Sequence, residues 1–237
     1  MQIGLIGGIG PAATDFYHRT LIKKFSSENI ELDMTIVHAD TPTLVKNLMS
    51  DNKDAQILIY EHLTERLKNA GAVCVAITSI ARHFCIDKFK SKSVLPIVDM
   101  LSCVQKQVKK CGYTKIGLIG TKPVMKSKFY SGISSAEIII PNGDLLDEVH
   151  KSYLDMATLG AAHKQHKLVF EKACNQFIEE DNVDAIMLGG TDLALVYNSE
   201  NVNFDLIDCA EIHTQELFTL AKNNKKSHKK PLVLPGF

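Results

Sequence analysis

Three stretches of the chain hold the residue types that could do chemistry. Ser79-Ile80-Ala81-Arg82-His83 places a hydroxyl and an imidazole in one loop, and Gly189-Gly190-Thr191-Asp192 places a carboxylate just beyond a glycine pair. Gly8-Ile9-Gly10-Pro11-Ala12-Ala13 offers bare backbone amides where a helix begins. A serine hydroxyl acts as a base or nucleophile only when a neighbouring group takes its proton, a role open to His83. The same histidine at a helix start also suits a structural hydrogen bond. Asp192 is the better proton acceptor, and it is equally suited to capping a short helix. Lys122 and Arg82 can draw an anion to these loops or serve as ordinary surface charges.

Backbone amides at a helix N-terminus bind phosphate or carboxylate. The first loop formally satisfies G-x-G-x-x-A, the phosphate fingerprint of dinucleotide folds, which also wants an acid about twenty positions on at the end of the second strand. Here that strand ends near Asp40, too far along. A carboxylate ligand is the preferred reading.

The elements that must position these loops are short apolar runs that break into glycine. Gln2-Ile3-Gly4-Leu5-Ile6-Gly7 returns as Lys115-Ile116-Gly117-Leu118-Ile119-Gly120, and Val75-Ala76-Ile77-Thr78-Ser79 as Ile186-Met187-Leu188-Gly189-Gly190. Pro96-Ile97-Val98-Asp99 returns as Asp205-Leu206-Ile207-Asp208. The echoes keep their order at a slowly drifting separation, which indicates duplication of one α/β unit.

Unalternating apolar strands are what sheets covered on both faces require. Strands are expected at about Met34–His38, Val73–Ile77, Leu95–Val98, Ile138–Ile140, Ala185–Leu188 and Leu206–Ile207, besides the two glycine-ended ones. Helices are expected after Gly10, over Asp51–Ala70, from Asp99 to Lys110, twice within Asp144–Glu180, and from Cys209 to about Lys222. That last helix has no obvious place in the second unit and is free to pack on the first. The expected fold is α/β: two pseudo-symmetric three-layer domains with parallel four-stranded sheets and a ligand cleft between them. The expected domains are residues 1–99 plus 209–222 and residues 100–208, followed by a flexible basic tail at 223–237.

Lys+Arg and Asp+Glu are balanced at 27 each, so no global field recruits nucleic acid or an anionic membrane. The chain opens on a strand with no basic n-region or long apolar run, which predicts a cytoplasmic protein. The six cysteines form no C-x-x-C pair and no zinc spacing, so they read as reduced thiols and no metal is expected. Cys74 lies inside an apolar strand as a core filler, and Cys85 falls near the first loop but faces the core.

Gly4 to Thr14, Gly71-Ala72 with the loop ending at His83, Gly117 to Thr121, and Leu188 to Leu193 together resemble the aspartate/glutamate racemase family. The likeness runs over roughly residues 1–220 in matching order and spacing. It implies a homodimer that racemises an acidic amino acid without PLP or any other cofactor. In that family one cysteine from each domain faces the α-carbon. One thiolate removes the proton and the other thiol returns one to the opposite face.

The family reads cysteine-asparagine-threonine-X-histidine in the first loop and glycine-cysteine-threonine-glutamate in the second. Ser79 and Gly190 stand at the two cysteine positions, and Ile80 and Ala81 replace the polar pair. By this correspondence Ser79, His83 and Asp192 are the candidate catalytic residues. Gly8, Ile9, Gly10, Thr41, Ile80, Ala81, Thr121, Lys122, Gly190 and Thr191 are the candidate substrate-binding residues. Two functions follow: an isomerase of a small acidic amino acid or related carboxylate, or a catalytically silent relative that binds such a ligand.

Overall fold

The run Gln2–Gly7 forms the central strand β1 of a first sheet, with Ile3, Leu5 and Ile6 almost wholly buried. It pairs in parallel with β2 (Asp33–His38) on one side and β3 (Cys74–Ile77) on the other. The computed structural model describes residues 1–8, 11–79, 84–126, 130, 133–198 and 201–226. The chain forms two units, one of residues Met1–Cys103 with the chain from His213 onward, the other Val104–Ile212.

In the first unit α1 (Pro11–Ser27) follows β1 with proline at its first position, where a missing N–H costs nothing. The polar break after β2 is itself a helix start. Asp40 accepts from the Thr43 amide at 3.0 Å, Pro42 occupies the first turn, and α2 (Thr41–Met49) begins there. The helix expected over Asp51–Ala70 left this segment unassigned. Instead Asp51 takes a positive φ of 48°, and Asn52 caps α3 (Lys53–Asn69) by accepting from the Ala55 amide. Ile57, Tyr60, Leu63 and Leu67 of α3 are buried, at helical spacing.

Cys85 immediately precedes α4 (Ile86–Lys90), and Asp99 immediately precedes α5 (Met100–Cys111). Asp99 Oδ1 accepts from the Leu101 amide at 3.1 Å, and its Oδ2 accepts from Ser102 Oγ at 2.6 Å and Lys90 Nζ at 2.7 Å. The fourth strand expected at Leu95–Val98 is a single parallel bridge between Val75 and Ile97. Val75 N donates to Pro96 O and Val98 N to Val75 O, both at 2.9 Å. Pro96 has no N–H to extend the ladder, and Asp99 already starts the next helix.

The second unit repeats the plan with a fourth full strand. Its order is β5 (Glu137–Ile139), β4 (Lys115–Ile119), β6 (Ala185–Leu188) and β7 (Leu206–Asp208), all parallel. After β4 comes α6 (Lys122–Lys126), and after β5 come α7 (Gly143–Leu159) and α8 (Lys164–Asn175). The buried face of α7 is Leu145, Leu146, Val149, Tyr153 and Met156, the i, i+3, i+4 pattern of a helix lying on a core.

The last helix, α9 (Cys209–Lys226), continues past Lys222, and the rest of the basic tail, 227–237, lies outside the described residues. From His213 onward α9 packs with the first unit. Phe218 meets Phe25 edge to face, and His213 Nε2 lies 2.8 Å from Val98 O. A carbonyl accepts only, so Nε2 carries the proton and Nδ1 accepts from Tyr17 Oη at 2.7 Å. Tyr17 and His213 are both fully buried. Among the described residues no helix is long and apolar enough to cross a membrane.

Replacing Tyr17 by Phe leaves that buried imidazole nitrogen without its phenol. The expected loss is about 1–3 kcal/mol, read as a lower denaturant midpoint with an unchanged m-value.

Candidate functional site

In each unit the central strands end in glycine or small polar residues at the carboxyl edge of the sheet, the edge where open α/β sheets bind ligands. In the first unit Ile6 pairs with Ile77 and Gly7 with His38, so the turns after β1, β2 and β3 leave the sheet side by side. Gly8 takes φ +131°, and a Cβ on it would lie 2.0 Å from Ala39 O. Only glycine fits so close to a neighbouring carbonyl in that conformation. Thr41 Oγ1 donates to Gly8 O and ties the β2 turn to the β1 turn.

The β3 turn is tied in the same way. Thr78 N donates to Ile6 O at 3.1 Å, and Thr78 Oγ1 lies 3.3 Å from the same carbonyl and 3.4 Å from Thr14 Oγ1. Ser79 follows, half-buried, and the β1–β3 register carried forward sets it beside Gly8. Gly8, Thr41 and Ser79 are thus gathered at one sheet edge. Ile9, Gly10, Ile80, Ala81, Arg82 and His83 lie outside the described residues.

In the second unit Ile119 pairs with Leu188, and Gly189 N donates to Ile119 O at 2.7 Å. The register carried forward sets Thr121 beside Gly190. Thr121 caps α6: its carbonyl accepts from the Met125 amide at 2.9 Å, and its Oγ1 lies 3.4 Å from the Val124 amide. Lys122 N donates to His150 Nδ1 at 3.1 Å, and Lys122 Nζ pairs with Asp147. The Asp147 carboxyl is held below the usual carboxylate range chiefly by that ammonium. Lys122 is therefore half of an ion pair, not an isolated positive charge.

Gly190, Thr191 and Asp192 turn from β6 into a 3-10 helix, Thr191–Leu195. Gly190 is in extended backbone that any residue adopts, at φ −169°. What demands glycine is space: a Cβ there would lie 2.1 Å from Tyr153 Oη and 2.7 Å from its Cζ. Tyr153, on the buried face of α7, donates its hydroxyl proton to Asp192 Oδ2 at 2.8 Å. Burial, and then the Asp192 charge, push the phenol well above its usual pKa, so it stays protonated and remains the donor. Asp192 is partly exposed.

Sequence reading missed Tyr153. A tyrosine at helical spacing among Val149 and Met156 is indistinguishable from a core filler until the fold brings it against Gly190.

The four buried thiols do not supply a base. Burial pushes Cys74 and Cys85 up to about 12 and Cys174 up to about 11, and it raises Cys209 further. All four are protonated at neutral pH, and a thiol is a base only as its thiolate. Among the described residues no group of three or more His, Cys, Asp or Glu is placed to hold a metal ion.

A second carboxylate at this edge also escaped the sequence reading. Asp208 ends β7 opposite Leu188 and accepts from the Ala210 and Glu211 amides at 2.9 and 3.0 Å. Burial raises its pKa despite those two bonds.

Residues 6–217 match the family model described as Asp/Glu/Hydantoin racemase. Among solved structures, a candidate Asp/Glu racemase from Yersinia pestis superposes with a TM-score of 0.83 at 21% identity, covering 93% of this chain and 99% of that one. An aspartate racemase homologue from Pyrococcus horikoshii OT3 gives 0.82 at 24% identity, with coverage of 93% and 99%. A glutamate racemase from Francisella tularensis, solved with D-glutamate, gives 0.64 at 18% identity, with coverage of 97% and 84%. At these identities the likeness establishes the fold: α/β units with parallel sheets, as in racemase two-domain structures.

Two measurements check the geometry of the second edge. Gly190→Ala forces a methyl against the Tyr153 hydroxyl and is expected to cost about 1–3 kcal/mol. In a double-mutant cycle the cost shrinks when Tyr153 is cut back to Leu. Asp208 ionises less readily folded than unfolded, so its contribution to stability is lost as pH rises from its unfolded value of 3.8 through the higher folded one. Asp208→Asn, which keeps an oxygen acceptor, is expected to match the parent in acid and to unfold at higher urea near neutral pH.

Proposed function

We propose, given that the chain belongs to the Asp/Glu/hydantoin racemase family, that it is an isomerase acting on a small acidic amino acid or related carboxylate. The observation that carries this reading is the Asp192 carboxylate, partly exposed and held by Tyr153 at the turn where Gly190 leaves β6. A carboxylate in that position can accept a proton from a weak carbon acid, and the glycine turns around it leave backbone amides for an anionic ligand.

In the reaction, one base takes the α-proton, the electron pair left on the α-carbon delocalises into the substrate carboxylate, and an acid on the opposite face returns a proton. Asp192 serves one face. Backbone amides of the Gly190 turn hold the substrate's carboxylate, where negative charge grows in the transition state. Lys122, balanced by Asp147, adds a steering charge at the second edge.

A second reading has its own observation. Tyr153 Oη leaves no room for a Cβ at 190, and by the sequence correspondence Ser79 and Gly190 take the places of the family's two proton-transferring cysteines. A relative that binds an acidic amino acid without turning it over satisfies that arrangement equally well.

The two readings part in one experiment. Purified protein is incubated in D2O with aspartate, glutamate and other small amino and hydroxy acids, each enantiomer separately, and α-deuterium is followed by NMR alongside the melting temperature. Wash-in above buffer with at least one acid supports the isomerase. A rise in melting temperature with no wash-in supports the silent binder. Neither response, across the whole panel, sinks both.

A further inference from the structure

We propose that Tyr153 is the positioning residue that makes Asp192 a one-sided proton acceptor, and that Gly190 is there to admit it. The inference rests on the isomerase reading and concerns the same edge of the second sheet. Three observations meet at one oxygen. Tyr153 Oη lies 2.8 Å from Asp192 Oδ2, it fills the volume a Cβ at position 190 would occupy, and its ring is almost wholly buried on α7 among Val149 and Met156.

A phenol with a single proton can give it to one acceptor at a time. Here that acceptor is Asp192 Oδ2, which leaves Oδ1 as the oxygen open to a ligand. A carboxylate on a short 3-10 turn otherwise rotates about its side-chain bonds. A hydrogen bond from a side chain locked in the core fixes which oxygen faces out, and in which direction. A misplacement of one ångström in such a group slows a proton transfer about a hundredfold.

Asp192 Oδ1 takes the substrate's α-proton, the C–H bond breaks with its electron pair left on the α-carbon, and the proton later leaves to solvent. The Tyr153 proton stays on its oxygen throughout. The arrangement also accounts for a glycine whose φ any residue could adopt: a side chain at 190 and a phenol at this place exclude one another.

Holding α7 against the turn is a merely structural role, and it lowers stability alone when the hydroxyl goes. A positioning role is selective for one face of the substrate. The test is α-deuterium wash-in from the D- and L-enantiomers separately, with the parent, Tyr153→Phe and Asp192→Asn, each first shown folded by its melting curve. The expected result is that Tyr153→Phe slows wash-in from one enantiomer at least tenfold through kcat, with KM unchanged, and leaves the other within twofold. Asp192→Asn abolishes exchange from that same enantiomer.

Equal slowing of both enantiomers, or an unchanged ratio with a lower melting temperature, overturns the positioning role while leaving the isomerase intact. Parent protein with no exchange from any acid overturns both together. Should Tyr153→Phe fail to fold, Tyr153→His, which keeps a donor on an aromatic ring, is measured in its place with the same selectivity expected in weaker form.

Discussion

The closeness of backbone to backbone at the carboxyl ends of the parallel strands is the constraint on which the rest of this structure depends. A Cβ on Gly8 would sit 2.0 Å from Ala39 O, and one on Gly189 would sit 2.8 Å from Ile119 O. At these two positions the neighbouring backbones come so close that no side chain fits between them. The threonines at these turns are spent on holding them: Thr41 and Thr78 bond to the carbonyls of Gly8 and Ile6, and Thr121 caps α6.

The acid and base inventory has a common physical cause. Groups on strands and buried helix faces are pushed toward their neutral forms by desolvation, as the Cys74, Cys85 and Cys174 thiols and the Asp208 carboxyl are. Groups on the turns keep access to solvent, as Ser79 and Asp192 do. The solvent-accessible polar groups of these edges therefore lie on the turns, and the buried face of α7 reaches them through the Tyr153 hydroxyl.

Much of the fold was legible because its signal is local. Unalternating apolar runs marked β1, β3, β4 and β6, all but β3 ending in glycine, and the helical spacing of Ile57, Tyr60, Leu63 and Leu67 marked α3. The misses are also physical. Asp40-Thr41-Pro42 signals both a break and a helix start, and α2 is the helix that a reading of it as a break alone passes over. The Leu95–Val98 segment has strand composition, yet Pro96 supplies no donor, and the segment is reduced to the bridge at Ile97.

By itself the sequence determined the repeated α/β plan and the glycine turns at the sheet edges. These depend on residues adjacent along the chain, so periodicity and spacing reveal them. Only the tertiary structure decided that the space beside Gly190 belongs to Tyr153, that Lys122 is paired with Asp147, that Asp208 lies beside β6, and that the end of α9 joins α1. Each of those pairs residues far apart in sequence, and such encounters are set by how faces pack in three dimensions, which no local pattern records.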